Sequence, residues 1–237
     1  MSDSSSHTPR RDFLARLAAS AALVMAGSSR ATSLAAATLP PHGARGRPAG
    51  APEFDDSWAE RVKGAKHRAV FDSPGVGDGA ALDQVSVYLQ NYHEMFGATD
   101  ADTVPVIVMR HMGTVMAMGD ALWEKYALGA REKLKDPRTG EGTKRNPFLD
   151  VGADDKFALI EAGSSLSALR ARGVVLLACN RALMHFAAQT AQEHKADVEQ
   201  VRAEFRDGLV PGVILLLAGI YAVTRAQEAG CTFLKSS

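Results

Sequence analysis

The alternation of short apolar runs with amphipathic stretches constrains this chain more than any other feature. The runs are "HRAVFDS" (67–73), "TVPVIVMR" (103–110), "VVLLA" (174–178), "LVPGVILLLAG" (209–219) and "CTFL" (231–234). A strand covered on one face alternates apolar and polar residues; these runs are apolar at nearly every position, which suits strands covered on both faces. Within 78–97, Leu82, Val85, Leu89, Tyr92 and Phe96 recur at steps of three and four, the period of a helix with one buried stripe. Further helices are expected over 113–129, 157–173, 180–194, 196–208 and 220–230. Such repetition implies an α/β fold in three layers, with a mostly parallel five-stranded sheet and helices on both faces.

The flanking and inserted segments have a different character. Arg10 and Arg11 precede "DFLARLAASAALVMAG", a basic start followed by a short apolar stretch, and "SLAAATLP" then offers small residues suited to cleavage. Residues 1–37 therefore read as an export signal. The arginine pair followed by Asp12, Phe13 and Leu14 resembles a twin-arginine signal, although Pro9 stands where Ser or Thr is usual and Ala15 where Lys is common. A periplasmic location is the expectation, with an uncleaved membrane anchor as the alternative. Residues 38–65 are dense in Pro, Gly and Ala and read as an arm or linker. That leaves 66–237 as one domain, carrying a polar insertion at 130–155 of the kind that serves as a lid or contact arm.

Charge and motifs exclude several partners. The 27 basic and 27 acidic side chains cancel, whereas phosphate backbones demand a concentrated positive field, so nucleic acid is not expected. After the signal no apolar run approaches the ~20 residues of a membrane span. "SPGVGDG" (73–79) follows the first strand but lacks both the GxGxxG spacing and the Lys-Ser/Thr of a phosphate loop.

Chemistry is expected at the carboxyl ends of the strands, where open α/β sheets collect their ligands. Cys179 closes the third strand there, and Asn180 opens the next helix. Free amides at a helix start carry about half a positive charge and favour thiolate over thiol. The competing reading of Cys179 is a small buried apolar residue. Cys231 opens the last strand and reads as structural. The two thiols would lie at opposite edges of the sheet, roughly 15 Å apart, so no disulfide between them is expected.

The second strand delivers Arg110, His111 and Met112 to the same edge, with Met116, Met118, Asp120 and Trp123 on the stretch beyond it. Arg110 suits an anion such as thiosulfate or a carboxylate. No resident cofactor or metal is expected, but His111 with Met112 or Met116 has the donor types for copper or haem iron. Adaptable core packing is the plainer reading of the methionines. His185 lies nearly two turns beyond Cys179 and is expected to be too far along to act as its base within one subunit. His93 reads as a helix-surface residue.

"GVVLLACNRAL" (173–183), the "PGV" of Pro211–Val213 and the Gln227–Gly230 segment before "CTFL" together resemble the DsrE/DsrF-like family of sulfur-relay proteins. "HRAVFD", "ALDQVSVYLQN" and "VPVIVMRHM" fit the first two units of that pattern, so the likeness spans about 66–235. The resemblance implies a five-stranded parallel sheet assembled as a homotrimer or homohexamer. It further implies a persulfide on Cys179; the reading of the strand ends places Arg110, His111, Met112, Asn180, Asp120 and Trp123 around it. A sulfur donor or acceptor, protein or small molecule, would be the partner, and the activity that of a sulfurtransferase or carrier. The 130–155 insertion departs from the short relay proteins. The rival is a non-enzymatic oligomeric protein binding a metal, haem or small ligand; a third possibility is a scaffold with a vestigial pocket.

Overall fold

The computed structural model describes residues 54–136, 139–152, 155 and 160–236. The expected export signal, 1–37, lies outside the described residues. Five strands, β1 (His67–Ser73), β2 (Thr103–Met109), β3 (Val175–Cys179), β4 (Ile214–Leu216) and β5 (Thr232–Lys235), form one sheet in the order β4-β3-β2-β1-β5. Every pairing is parallel. Ser73 lies opposite Met109, Met109 opposite Ala178, and Cys179 opposite Leu216. Parallel pairing in that register brings β1, β2, β3 and β4 to their carboxyl ends along one line.

Alternate strand residues divide between two cores, as the pleat requires. Phe71, Ile107, Met109, Leu176 and Ala178 face helix α2 (Ala80–Phe96) through Leu82, Val85 and Leu89. Val70, Val106, Val108, Val175 and Leu177 face α1 (Trp58–Gly64) through Trp58 and Val62, and the helix Gly219–Glu228 through Ala222 and Ala226. Covering both faces explains why the strands are apolar throughout, and each large side chain so buried contributes about 1.5–3 kcal/mol.

Helix α1 falls within the segment expected to be an arm. Trp58, Ala59 and Val62 are buried on the sheet, so the packed domain starts before residue 66. One turn of apolar spacing behind a Pro/Gly-rich stretch is too short to register as a period.

The expected helix over 113–129 is also corrected. A 3-10 segment, His111–Ala117, is followed by extended backbone at Met118 and Gly119, then by the short helices α3 (Asp120–Lys125) and α4 (Leu128–Arg131). Distant backbone breaks the helix: the Gly119 amide donates to Gly208 O at 2.8 Å, and Met118 bridges Leu209. Asn146 Nδ2 donates to Met116 O and Met118 O at 2.7 and 2.8 Å, claiming carbonyls that helix amides would otherwise use. Asn146 belongs to the insertion, as does Phe148, which is fully buried beside Trp123. This part of the insertion is core, not a lid or contact arm.

Over 157–173 the regular structure is a 3-10 turn at Ala162–Ser164 and helix α5 (Leu166–Ala171), capped by Ser165, whose hydroxyl accepts from Ala168 N. Residues 156–159 lie outside the described set. The helices expected at 180–194 and 196–208 form as α6 (Asn180–His194) and α7 (Val198–Asp207). The expected strand over 209–219 shrinks to β4, because Pro211 lacks a donor and Gly212 turns to φ 85°. Helix α8 (Gly219–Glu228) then leads into β5. Among the described residues no helix is long and apolar enough to cross a membrane.

Gly113 packs directly on the end of β1. A Cβ there would lie 2.3 Å from Ser73 O and 2.9 Å from Gly75 O, both backbone atoms that cannot rotate away. Gly113→Ala is therefore expected to cost about 3 kcal/mol in urea unfolding, the upper end for overpacking. Gly64→Ala, with nothing within 4 Å, is the matched control and is expected to be neutral or slightly stabilising.

Candidate functional site

A cavity of about 840 Å³ opens at the carboxyl edge where β2 and β3 end and α8 begins. Cys179 is on its wall, 7% exposed. The Sγ accepts the amide of Ala182 at 3.4 Å, so the sulfur itself caps the first turn of α6. A side-chain acceptor at that position satisfies one of the four amides a helix leaves without partners.

Arg110, at the end of β2, lines the same cavity. Its Nε and Nη2 donate to Asp72 Oδ1 and Oδ2 at 2.6 and 2.7 Å, a fork-to-fork pair with the carboxylate near the end of β1. Asp72 is 4% exposed. The Arg110 guanidinium is held above its ordinary value, first by this hydrogen bonding, against the opposing cost of burial, and least by the nearby Cys179 sulfur. Gly219 makes the arrangement possible: a Cβ there would fall 2.4 Å from Arg110 Cβ. The start of α8 can approach only because that position is glycine.

His111 and Met112 come next on the cavity rim, His111 with φ 47° and Met112 47% exposed. The structure thus brings Arg110, His111, Met112 and Cys179 together. Asn180 is the first residue of α6, but the described cavity lining does not include it, and its buried Oδ1 has no hydrogen-bond partner among the described residues. Asp120 and Trp123 do not belong to the site. Asp120 Oδ1 accepts from Asn146 N at 2.8 Å, and Trp123 is wholly buried in the core. The break at Gly119 turns them away from the cavity.

The cavity also contains residues that local sequence spacing around Cys179 did not bring in. Ala182, His185, Phe186 and Gln189 share one face of α6, and all four line it. His185 therefore lines the same cavity as Cys179 within one subunit. Steps of three and four from Ala182 would have revealed the face. Arg181 and Arg131 complete the cationic side chains. Arg131 lies over the Phe186 ring at 4.7 Å, donates to Thr190 Oγ1 at 3.3 Å, and bonds Gln189 Oε1. Arg181 has no partner among the described residues.

Glu132 lies beside this group, with Oε1 buried, lacking a hydrogen bond among the described residues and 3.9 Å from Arg131 Nε. Burial pushes its carboxyl above the ordinary value, only partly offset by Arg131. A raised carboxyl favours the folded state below its unfolded pKa and loses that contribution as pH rises through the folded value. Glu132→Gln is accordingly expected to raise the thermal midpoint at pH 7 to 8, with the difference closing as pH falls far enough to protonate Glu132. Equal midpoints at all pH values would contradict this.

Both cysteines are free. Cys231 is buried, and desolvation pushes its thiol up to about 11. β3 and β5 are separated by β2 and β1, about 14 Å across three strand spacings, which no disulfide spans. Among the described residues no group of three or more His, Cys, Asp or Glu is placed to hold a metal ion.

No protein-family model matches the chain, and no curated protein matches it. Among solved structures it is similar to that of a protein of unknown function, MTH1491, from Methanobacterium thermoautotrophicum. The two share 15% identity, the match covers 71% of this chain and 98% of that one, and the TM-score is 0.36.

Proposed function

We propose that this is an exported, oligomeric sulfur carrier of the DsrE-like type, which holds sulfane sulfur as a persulfide on Cys179. The observation that carries the reading is the placement of Cys179 Sγ: it caps α6 by accepting the Ala182 amide and sits on a cavity wall shared with Arg110. A thiolate is the attacking form in sulfur transfer. With thiosulfate as donor, the Cys179 thiolate attacks the outer sulfur, the sulfur–sulfur bond breaks, and its electron pair leaves on sulfite. The product on the protein is Cys–S–S⁻, with no proton or oxidant required. An acceptor thiolate then attacks the terminal sulfur and returns Cys179 to thiolate. Arg110, held by Asp72 on the same cavity wall, is a fixed positive charge for the departing anion.

Intact-mass spectrometry after incubation with polysulfide tests the reading. The expected result is a gain of ~32 Da, one sulfur atom, mapping to Cys179 and absent in Cys179→Ser. An unmodified Cys179 under conditions that load a free thiol peptide would overturn it.

A further inference from the structure

We infer that the cavity takes an organic persulfide of peptide size carrying carboxylates, in preference to an inorganic sulfur anion; this rests on the sulfur-carrier reading above. Size favours the larger donor. The cavity of about 840 Å³ falls within the range of sites for drug-sized ligands. Thiosulfate, at one water volume per heavy atom, fills roughly 150 Å³ of it, whereas a tripeptide persulfide fills roughly 600 Å³.

The walls favour it as well. Ala182, Phe186, Met112 and Ile220 present carbon to the cavity, and the last two are 47% and 66% exposed. A small hydrated anion gains nothing from such a surface, but the methylenes of an organic thiol do.

Charge points the same way. No Asp or Glu is among the described lining residues, and three arginines are. Two of these are already engaged, Arg110 by Asp72 and Arg131 by Thr190 and Gln189. Arg181 has no partner among the described residues, and it lies on α6 two residues beyond Cys179. A guanidinium so placed suits a carboxylate carried by a ligand whose sulfur sits at Cys179. The transfer balances as before: the Cys179 thiolate attacks the terminal sulfur of R–S–S⁻, giving Cys–S–S⁻ and R–S⁻.

Two measurements test this separately from the sulfur reading. S-methylglutathione keeps the carboxylates of a tripeptide thiol but cannot transfer sulfur. Titrated into Cys179→Ser by calorimetry, it is expected to bind at one site. Arg181→Glu in the same background is expected to weaken binding at least tenfold, with Arg181→Lys intermediate and circular dichroism melts unchanged. In the wild type, loading of Cys179 from glutathione persulfide is expected to saturate and to be inhibited by S-methylglutathione, while loading from thiosulfate stays linear in concentration. No heat of binding, with Cys179 still loaded by thiosulfate or polysulfide, overturns the ligand class and leaves the carrier reading standing. Loading from a persulfidated protein but not from glutathione persulfide overturns it in favour of a macromolecular donor. Binding of S-methylglutathione without loading from any donor overturns the carrier reading and this donor role with it.

Discussion

Asp72→Ala is expected to lower the free energy of unfolding by about 3 kcal/mol and to slow sulfur loading of Cys179. Removing one partner of a buried ion pair costs about 3–5 kcal/mol, because the other charge stays without compensation. The lower end applies here: the Asp72 side chain is 6% exposed, but Arg110 keeps 20% of its surface in water. The cost in loading has a separate origin. Without Asp72 nothing fixes the guanidinium plane across Gly219, so Arg110 leaves the cavity wall. Asp72→Asn keeps the shape with one acceptor and is expected to fall between. The exposed pair of Arg172 and Asp100, 31% and 46% exposed, is the comparison. Breaking that pair is expected to cost under about 1 kcal/mol. Denaturant midpoints at constant slope decide the matter, and an Asp72→Ala variant as stable as wild type would contradict it.

Asn146→Ala is expected to be as damaging, at about 3–4 kcal/mol. Its Nδ2 serves Met116 O and Met118 O, and its Oδ1 accepts from Phe148 N at 3.0 Å. Asn146 is 1% exposed, so each backbone group left behind loses a partner away from water, at ~1–3 kcal/mol apiece before relaxation. The same substitution is expected to loosen the 3-10 segment that presents His111 and Met112. Faster amide exchange at 111–118 in Asn146→Ala would show it; unchanged exchange would assign Asn146 a purely local role.

Much of the fold was legible because two-sided burial leaves an unmistakable apolar run at β1, β2 and β3. The meeting of Arg110, His111, Met112 and Cys179 was legible for the same reason, since parallel strands deliver their ends to one edge. What escaped was set by groups far away in sequence. Gly119 is extended because Gly208 and Asn146 claim the backbone around it, and no local period records that. Asp120 and Trp123 were misplaced as a consequence. Arg131 comes from a four-residue helix, Leu128–Arg131, too short to show a stripe. Gln189 escaped for a different reason: it lies well along α6 from Cys179, on the side it shares with Ala182, His185 and Phe186.

The proposed carrier needs Cys179, and not Cys231, to be the reactive sulfur of this domain. Iodoacetamide labelling of the folded protein across pH, mapped by peptide mass, tests it most directly. Cys231 is buried with its thiol pushed up to about 11, so its thiolate fraction at neutral pH is on the order of 1 in 10,000. Cys179 is expected to label at pH 7, and prior loading with polysulfide to block it, while Cys231 stays unlabelled until the pH nears its own value. A folded protein in which Cys231 labels first, or in which Cys179 labels only on unfolding, would contradict it.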